Sequence, residues 1–244
     1  MRLATVDIGN SSIKICHGEP AYDKEILKAG LAEAVEVCNR LSPDGVVFCS
    51  TRELSDSEKQ LVEKAGWWEM KYGVKLPVKV NYATPETLGP DRLASAVGAM
   101  SRYKGRTLLV ADAGTALTLD VVAADGIFLG GNISPGLSMR LSALNEHTSR
   151  LPLLDRTTGV KGYFGRDTSS AIMAGCRYGL AYEVEGAFRM ARKELGCDMI
   201  VATGGDGSLL HDDLKQMFGV DFPVEFVPDL IADGLKIVYE LNHE

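Results

Sequence analysis

The sequence predicts an α/β protein built from two similar halves. Three observations carry that expectation. Short β-branched, apolar runs alternate along the chain with stretches of helical spacing. A strand-Asp-x-Gly turn followed by a return strand occurs twice, at Asp7-Ile8-Gly9-Asn10-Ser11 and at Asp112-Ala113-Gly114-Thr115-Ala116. Apolar residues make up 45% of the 244 positions and charged residues 24%, which supplies core material and excludes a disordered chain. The predicted join lies around Tyr103 to Arg106, giving halves 1–104 and 105–244 with a cleft between them as the natural place for a ligand.

The elements follow in order. Leu3 to Asp7 reads as a strand, and Ile13 to Cys16 as its antiparallel partner across a polar turn at Gly9 and Asn10. Leu31, Val35, Cys38 and Leu41 share a face, so 31–41 is a helix. Pro43-Asp44-Gly45 is a turn and Val46 to Cys49 a buried strand. Ser55-Asp56-Ser57-Glu58 starts a helix over Lys59 to Ala65. Val78 to Tyr82 is a strand, and the Ala-rich run Leu93 to Met100 a helix. The second half restarts with strands at Thr107 to Ala111 and Leu117 to Val122, and a hairpin signal at Asp125-Gly126 leads into Ile127 to Leu129. Ser134-Pro135 is expected to be N-cap and N1 of a helix reaching Asn145. A long helix is expected from about Ser169 to Glu194, a strand at Met199 to Ala202, a helix after Gly204-Gly205-Asp206-Gly207, a strand at Val224 to Val227 and a C-terminal helix carrying Leu230, Leu235 and Val238.

A net charge of −7 argues against a nucleic-acid or anionic-membrane partner, but not against a phosphate ligand held by backbone N–H groups and cations. No apolar run approaches a bilayer span, and Asp7 interrupts the place of a signal-peptide core, so the expected location is cytoplasmic. The five cysteines form no CxxC pair and read as reduced, buried thiols.

Six constellations could carry chemistry. At Asp7 to Lys14, Gly9 admits close approach of an anion, Asn10, Ser11 and Ser12 offer donors, Lys14 adds positive charge and Asp7 can hold Mg²⁺ through water. The chain has no Walker A loop. At the second turn, Thr115 can meet a phosphate and Asp112 a cation. Tyr82 and Thr84-Pro85 precede Gly89-Pro90-Asp91-Arg92 at a helix start, where Asp91 is either a cap or a carboxylate base beside a guanidinium. Gly130-Gly131-Asn132-Ile133-Ser134-Pro135-Gly136 looks suited to close ligand approach at a helix N-terminus, and Asn132 rules out a serine-hydrolase elbow at Ser134. Thr168 sits at or near the cap of the long helix. Gly175 and Gly179 within that helix suit close packing against either another helix of the chain or a second copy. Gly204 and Gly205 can admit a nucleotide's adenine ring or a phosphate. His211-Asp212-Asp213 reads as a charged helix face rather than a metal site.

Together, Asp-x-Gly-Asn-Ser-x-x-Lys at 7–14, Gly-x-Asp-Arg at 89–92, Asp-x-Gly-Thr-Ala at 112–116, Gly-Gly-x-Ile-x-Pro-Gly at 130–136 and Thr168 resemble the type III pantothenate kinases over nearly the whole chain. Two departures are Pro90, where Ala is usual, and Ser11, where Thr is common. The resemblance implies duplicated ribonuclease-H-like halves of the actin-like ATPase superfamily, a homodimer, and ATP-dependent phosphorylation of pantothenate, the first step toward coenzyme A. It implies Mg²⁺ with ATP and a monovalent cation, K⁺ or NH₄⁺. Carried over, Asp7, Ile8, Gly9, Asn10, Ser11, Ser12, Ile13 and Lys14 would cradle ATP phosphates, with Thr115 also on ATP. Asp112 would bind the monovalent cation. Tyr82, Gly89, Pro90, Asp91, Arg92 and Thr168 would hold pantothenate, and Asp91 would be the base. A nucleotide-binding regulator and a related small-molecule kinase are the competing expectations.

Overall fold

The computed structural model describes residues 1–18, 22–28, 30–160 and 162–243. In chain order the elements are β1 (Leu3–Ile8), β2 (Ile13–His17), β3 (Asp23–Leu27), α1 (Leu31–Leu41), β4 (Gly45–Ser50), α2 (Asp56–Lys64), β5 (Trp68–Glu69), β6 (Lys79–Val80) and α3 (Pro90–Arg102). There follow β7 (Leu108–Ala113), β8 (Ala116–Val122), β9 (Ile127–Pro135), α4 (Leu137–Glu146), α5 (Thr168–Leu195), β10 (Met199–Thr203), α6 (Gly207–Phe218), β11 (Val224–Phe226) and α7 (Leu230–His243). None of the described helices is long and apolar enough to cross a membrane.

The chain divides into two compact units. Unit one comprises 1–105, 125–129 and 229–244; unit two comprises 106–124 and 130–228. The break at 105 falls in the segment expected from sequence, whereas the return of α7 to the first unit has no local signal in the sequence.

Unit one carries a sheet in the order β3-β2-β1-β4-β5, with β1, β2 and β3 antiparallel and β4 parallel to β1. Alternation along β1 divides its residues between the two faces. Ala4, Val6 and Ile8 join Ile13, Ile15, Phe48 and the α1 residues Leu31, Ala34, Val35 and Cys38 in one core. Thr5 and Asp7 therefore point to the other face, which α7 and α3 cover. There α3 and α7 meet backbone to backbone. A Cβ on Gly98 would collide with the Leu230 carbonyl, and one on Gly234 with the Ala94 carbonyl, so only glycine fits at either point.

Unit two repeats the plan. β7 pairs antiparallel with β8 and parallel with β10, and β11 adds parallel to β10. The sequence order β1, β2, β4 thus has its counterpart in β7, β8, β10. Helices α5 and α6 are tied by a bidentate pair from Arg177 to Asp213, with oxygens at 2.6 and 2.7 Å. Asp213 is buried, so only His211 and Asp212 of that tripeptide form the expected exposed face.

One helix start is corrected. Ser134 and Pro135 close β9 instead of opening a helix; Gly136 is the N-cap and α4 begins at Leu137. The strand runs on past Leu129, and a proline without an N–H is tolerated at its end. The Gly136 N–H donates to the Thr115 carbonyl at 3.1 Å, which sets the cap against the β7–β8 turn. All five cysteines are free and buried, as expected.

Candidate active site

In unit one the β1–β2 turn is closed by the Gly9 N–H donating to the Ser12 carbonyl at 3.0 Å. Ile8 and Ile13 face each other across the ladder and commit their side chains to the core, which leaves only their backbone for a ligand. Asn10 and Ser11 are exposed at the tip. Asp7 lies opposite Lys14 in the antiparallel register and opposite Cys49 in the parallel one. The Cys49 thiol donates to Asp7 Oδ1 at 3.8 Å. Burial pushes the Asp7 carboxyl up to about 6, and the negative charge of Asp91 adds to the rise; Lys14 and the Cys49 thiol oppose it. The half-buried Asp7 carboxyl thus feels a second carboxylate and a lysine at once.

Asp91 belongs to the first turn of α3. Gly89 is the N-cap and Pro90 occupies N1, where its missing N–H costs nothing, so the departure from Ala suits the helix start. The N-cap glycine offers no side chain, and the Asp91 carboxylate itself accepts the free Asp91 and Arg92 N–H groups of the first turn, so the helix-start role stands beside the proposed chemical one. Burial raises the Asp91 carboxyl above its ordinary range, against the pull of the Arg92 N–H and guanidinium. A short 3₁₀ turn at Pro85–Thr87, with Thr84 and Thr87 hydroxyls 2.8 Å apart, brings the chain into α3.

Arg92 is buried, its guanidinium 5.7 Å from the Tyr82 ring centre and 5.8 Å from that of Phe128. The two rings meet edge to face at 6.2 Å. Phe128 was given no role by the sequence. It arrives because β6 and β9 pair in parallel, with Val80 opposite Phe128, and no local spacing announces that pairing.

In unit two, Asp112 ends β7 as Asp7 ends β1, opposite Thr118 and Thr203. The Gly114 N–H donates to the Ala116 carbonyl at 2.9 Å, and Thr115 is exposed at the turn. Gly204, with φ of +87°, nestles against Asp112 Oδ1 and the Ala113 carbonyl where a Cβ would not fit. Gly205 is open to solvent, and the Asp206 N–H donates to the Ala113 carbonyl at 2.8 Å. Asp206 also accepts from Arg156 at 2.5 Å, a pairing that the sequence did not suggest. Thr168 is exposed at N1 of α5, next to an N-cap formed by Asp167 and Ser170.

The structure therefore gathers Asp7, Lys14 and Asp91, and separately Tyr82 and Arg92, within unit one. Asp112 and Gly204 come together in unit two. Among the described residues no group of three or more His, Cys, Asp or Glu is placed to hold a metal ion.

Two α/β units, each opening on a hairpin with an aspartate at the end of its first strand, define a protein of the actin-like ATPase fold. Solved structures agree: the archaeal actin homologue Ta0583 superposes with a TM-score of 0.60 at 10% identity, covering 99% of this chain and 100% of that one. MreB 5 of Spiroplasma citri, solved with AMPPNP, gives 0.54 at 9% identity, covering 98% and 96%.

Sequence comparison narrows the class. The family model for type III pantothenate kinase matches residues 3–190. A type III pantothenate kinase of Azobacteroides pseudotrichonymphae is 35% identical over 88% of this chain and 89% of its own length. That of Porphyromonas gingivalis is 34% identical over 97% of each. The chain belongs to the type III pantothenate kinase family.

Proposed function

We propose that the chain transfers the γ-phosphoryl group of ATP to the primary hydroxyl of pantothenate, with Asp91 as the base. The observation that carries this reading is Asp91 itself: a half-buried carboxylate in the first turn of α3, pushed above its ordinary range, its charge felt by Asp7. A raised pKa makes a better proton acceptor near neutral pH. As the hydroxyl oxygen bonds to phosphorus, its proton passes to Asp91 and ADP leaves. Phosphoryl transfer asks little covalent work of a protein and much positioning. The backbone of 8–13 and the Asn10, Ser11 and Ser12 side chains hold the phosphates together with Lys14, and Thr115 is a further ATP contact. Gly204 and Gly205 leave room for the nucleotide. Arg92, oriented by aromatic rings, holds pantothenate with Tyr82, Gly89, Pro90 and Thr168.

Asp7, a half-exposed hard oxygen donor beside the 8–13 turn, would hold Mg²⁺ through water, and the ion would there neutralise phosphate charge. K⁺ or NH₄⁺ would be held at Asp112, a carboxylate with the Gly204 backbone and the Ala113 carbonyl close by. In this reading the protein works in the cytoplasm as a homodimer. The α5 face bearing Gly175, Gly179 and Gly186 is its contact: a Cβ at Gly175 or Gly186 would meet nothing within 4 Å, and one at Gly179 only the end of the flexible Arg140 side chain at 3.9 Å. Sedimentation is then expected to give twice the 26.3 kDa chain mass. The central test is ATP consumption with and without pantothenate, in K⁺ and in Na⁺. Pantothenate-dependent turnover is expected with K⁺. Turnover only with a sugar or acetate, or nucleotide binding without turnover, overturns the reading.

A further inference from the structure

Asp229, on unit one immediately before α7, is nearly buried yet bears two cations. Lys14 Nζ lies 3.1 Å and Lys24 Nζ 2.9 Å from the same oxygen, Oδ1. The Cys16 thiol donates to that oxygen as well, at 3.9 Å. The partners differ in freedom. Asp229 is fixed, because its carbonyl accepts the Asp233 N–H at 3.0 Å and α7 is pinned to α3 at Gly98 and Gly234. The lysines are the movable members: their side chains are 28% and 31% exposed, against 11% for Asp229. Lys14 stands between two carboxylates, since Asp7 is its cross-strand partner. Lys24 stands one strand farther out, opposite Cys16 on β3.

One carboxylate oxygen does not need two ammonium groups. It needs one at all times, because a buried carboxylate left alone is costly. We propose that Lys24 is a positioning residue for nucleotide binding: it keeps Asp229 compensated so that Lys14 can turn from Asp229 to the ATP phosphates. The inference rests on the reading that Lys14 meets those phosphates. Lys24 itself does not touch the nucleotide. Without it, Lys14 leaves Asp229 only by stranding a buried charge, and ATP binding weakens accordingly. The reacting atoms are unaffected.

The experiment is steady-state kinetics on the full chain for wild type, K14M, K24M, K24R and K24M/D229N, with melting temperatures as a check on folding. K14M is expected to raise the KM for ATP, which establishes the underlying reading. K24M is expected to raise it roughly tenfold, with kcat within about twofold and the KM for pantothenate unchanged. K24R, which keeps the charge, is expected to match wild type. Adding D229N to K24M removes the carboxylate that holds Lys14 back and is expected to restore the ATP KM. If K14M raises the ATP KM and K24M does not, the role of Lys24 alone falls. That role falls equally if K24M lowers kcat instead, or if K24R is as impaired as K24M. If K14M leaves the ATP KM unchanged, the phosphate role of Lys14 falls and the inference with it.

Discussion

Arg92 is held by one ring near it in sequence, Tyr82, and one remote from it, Phe128. A buried guanidinium held near two ring centres has little freedom left to lose on meeting a carboxylate ligand. Phe128→Leu removes one ring and keeps the strand apolar. The KM for pantothenate is expected to rise about threefold to tenfold, in line with the ~0.5–2 kcal/mol of such contacts, while the KM for ATP stays put. Steady-state kinetics with each substrate varied checks this. Asp91→Asn keeps the shape and removes the proton acceptor, so turnover is expected to drop by ~10²–10⁴ with the melting temperature preserved. Wild-type turnover in that variant removes Asp91 from the mechanism. Tyr82, Asp91 and Arg92 were legible because they share one short stretch. Phe128 and Asp229 were not, since each reaches its partner through strand pairing or a chain return that local spacing does not encode.

Among the elements, α1 has the bounds expected from sequence, 31–41, and α2 begins at the helix start read at Ser55 to Glu58. Ser55 and Glu58 form a reciprocal capping box, and Arg52 reaches the Glu58 carboxylate through both guanidinium nitrogens at 3.0 and 2.6 Å. The Arg52 hydrogen bond, then the Ser55 N–H, hold the Glu58 carboxyl down to about 2 from its ordinary 4.5. The folded protein binds that proton less readily than the unfolded chain. Its stabilising contribution is therefore complete above about pH 4.5 and is lost as pH falls toward 2. Glu58→Gln is expected to cost on the order of 1 kcal/mol at neutral pH, with the difference from wild type vanishing in acid. Denaturant melts across pH measure it. The start of α4 differs from the sequence expectation for a definite reason. Ser-Pro is a sound helix opening locally, and only the extension of β9 through Pro135 takes those residues for a strand end. Tertiary pairing overrode local preference there.

For the whole molecule, the repeated Asp-x-Gly turn carried most of the fold assignment, since two copies in equivalent strand contexts demand two similar units. The origin of the last helix was hidden, because an apolar stripe on α7 does not say which sheet it will cover. The two aspartates of the repeat have different neighbours, Asp7 a lysine and Asp112 a glycine, in keeping with the different roles proposed for them. Asp112→Ala is accordingly expected to abolish the advantage of K⁺ over Na⁺ in turnover while the fold persists; an unchanged K⁺ response removes Asp112 as the cation site. The α3–α7 contact can be tested through stability. Gly234→Val forces the helices apart and is expected to cost about 3 kcal/mol, read as a lower denaturation midpoint. That contact also has a bearing on tolerance. Asp91 lies in the first turn of one helix and Asp229 leads into the other, so the spacing of these two carboxylates is fixed by two side chains that are not there. A single added methyl at 98 or 234 therefore shifts Asp91 and Asp229 relative to one another, a change that no substitution on the outer faces of α3 and α7 produces.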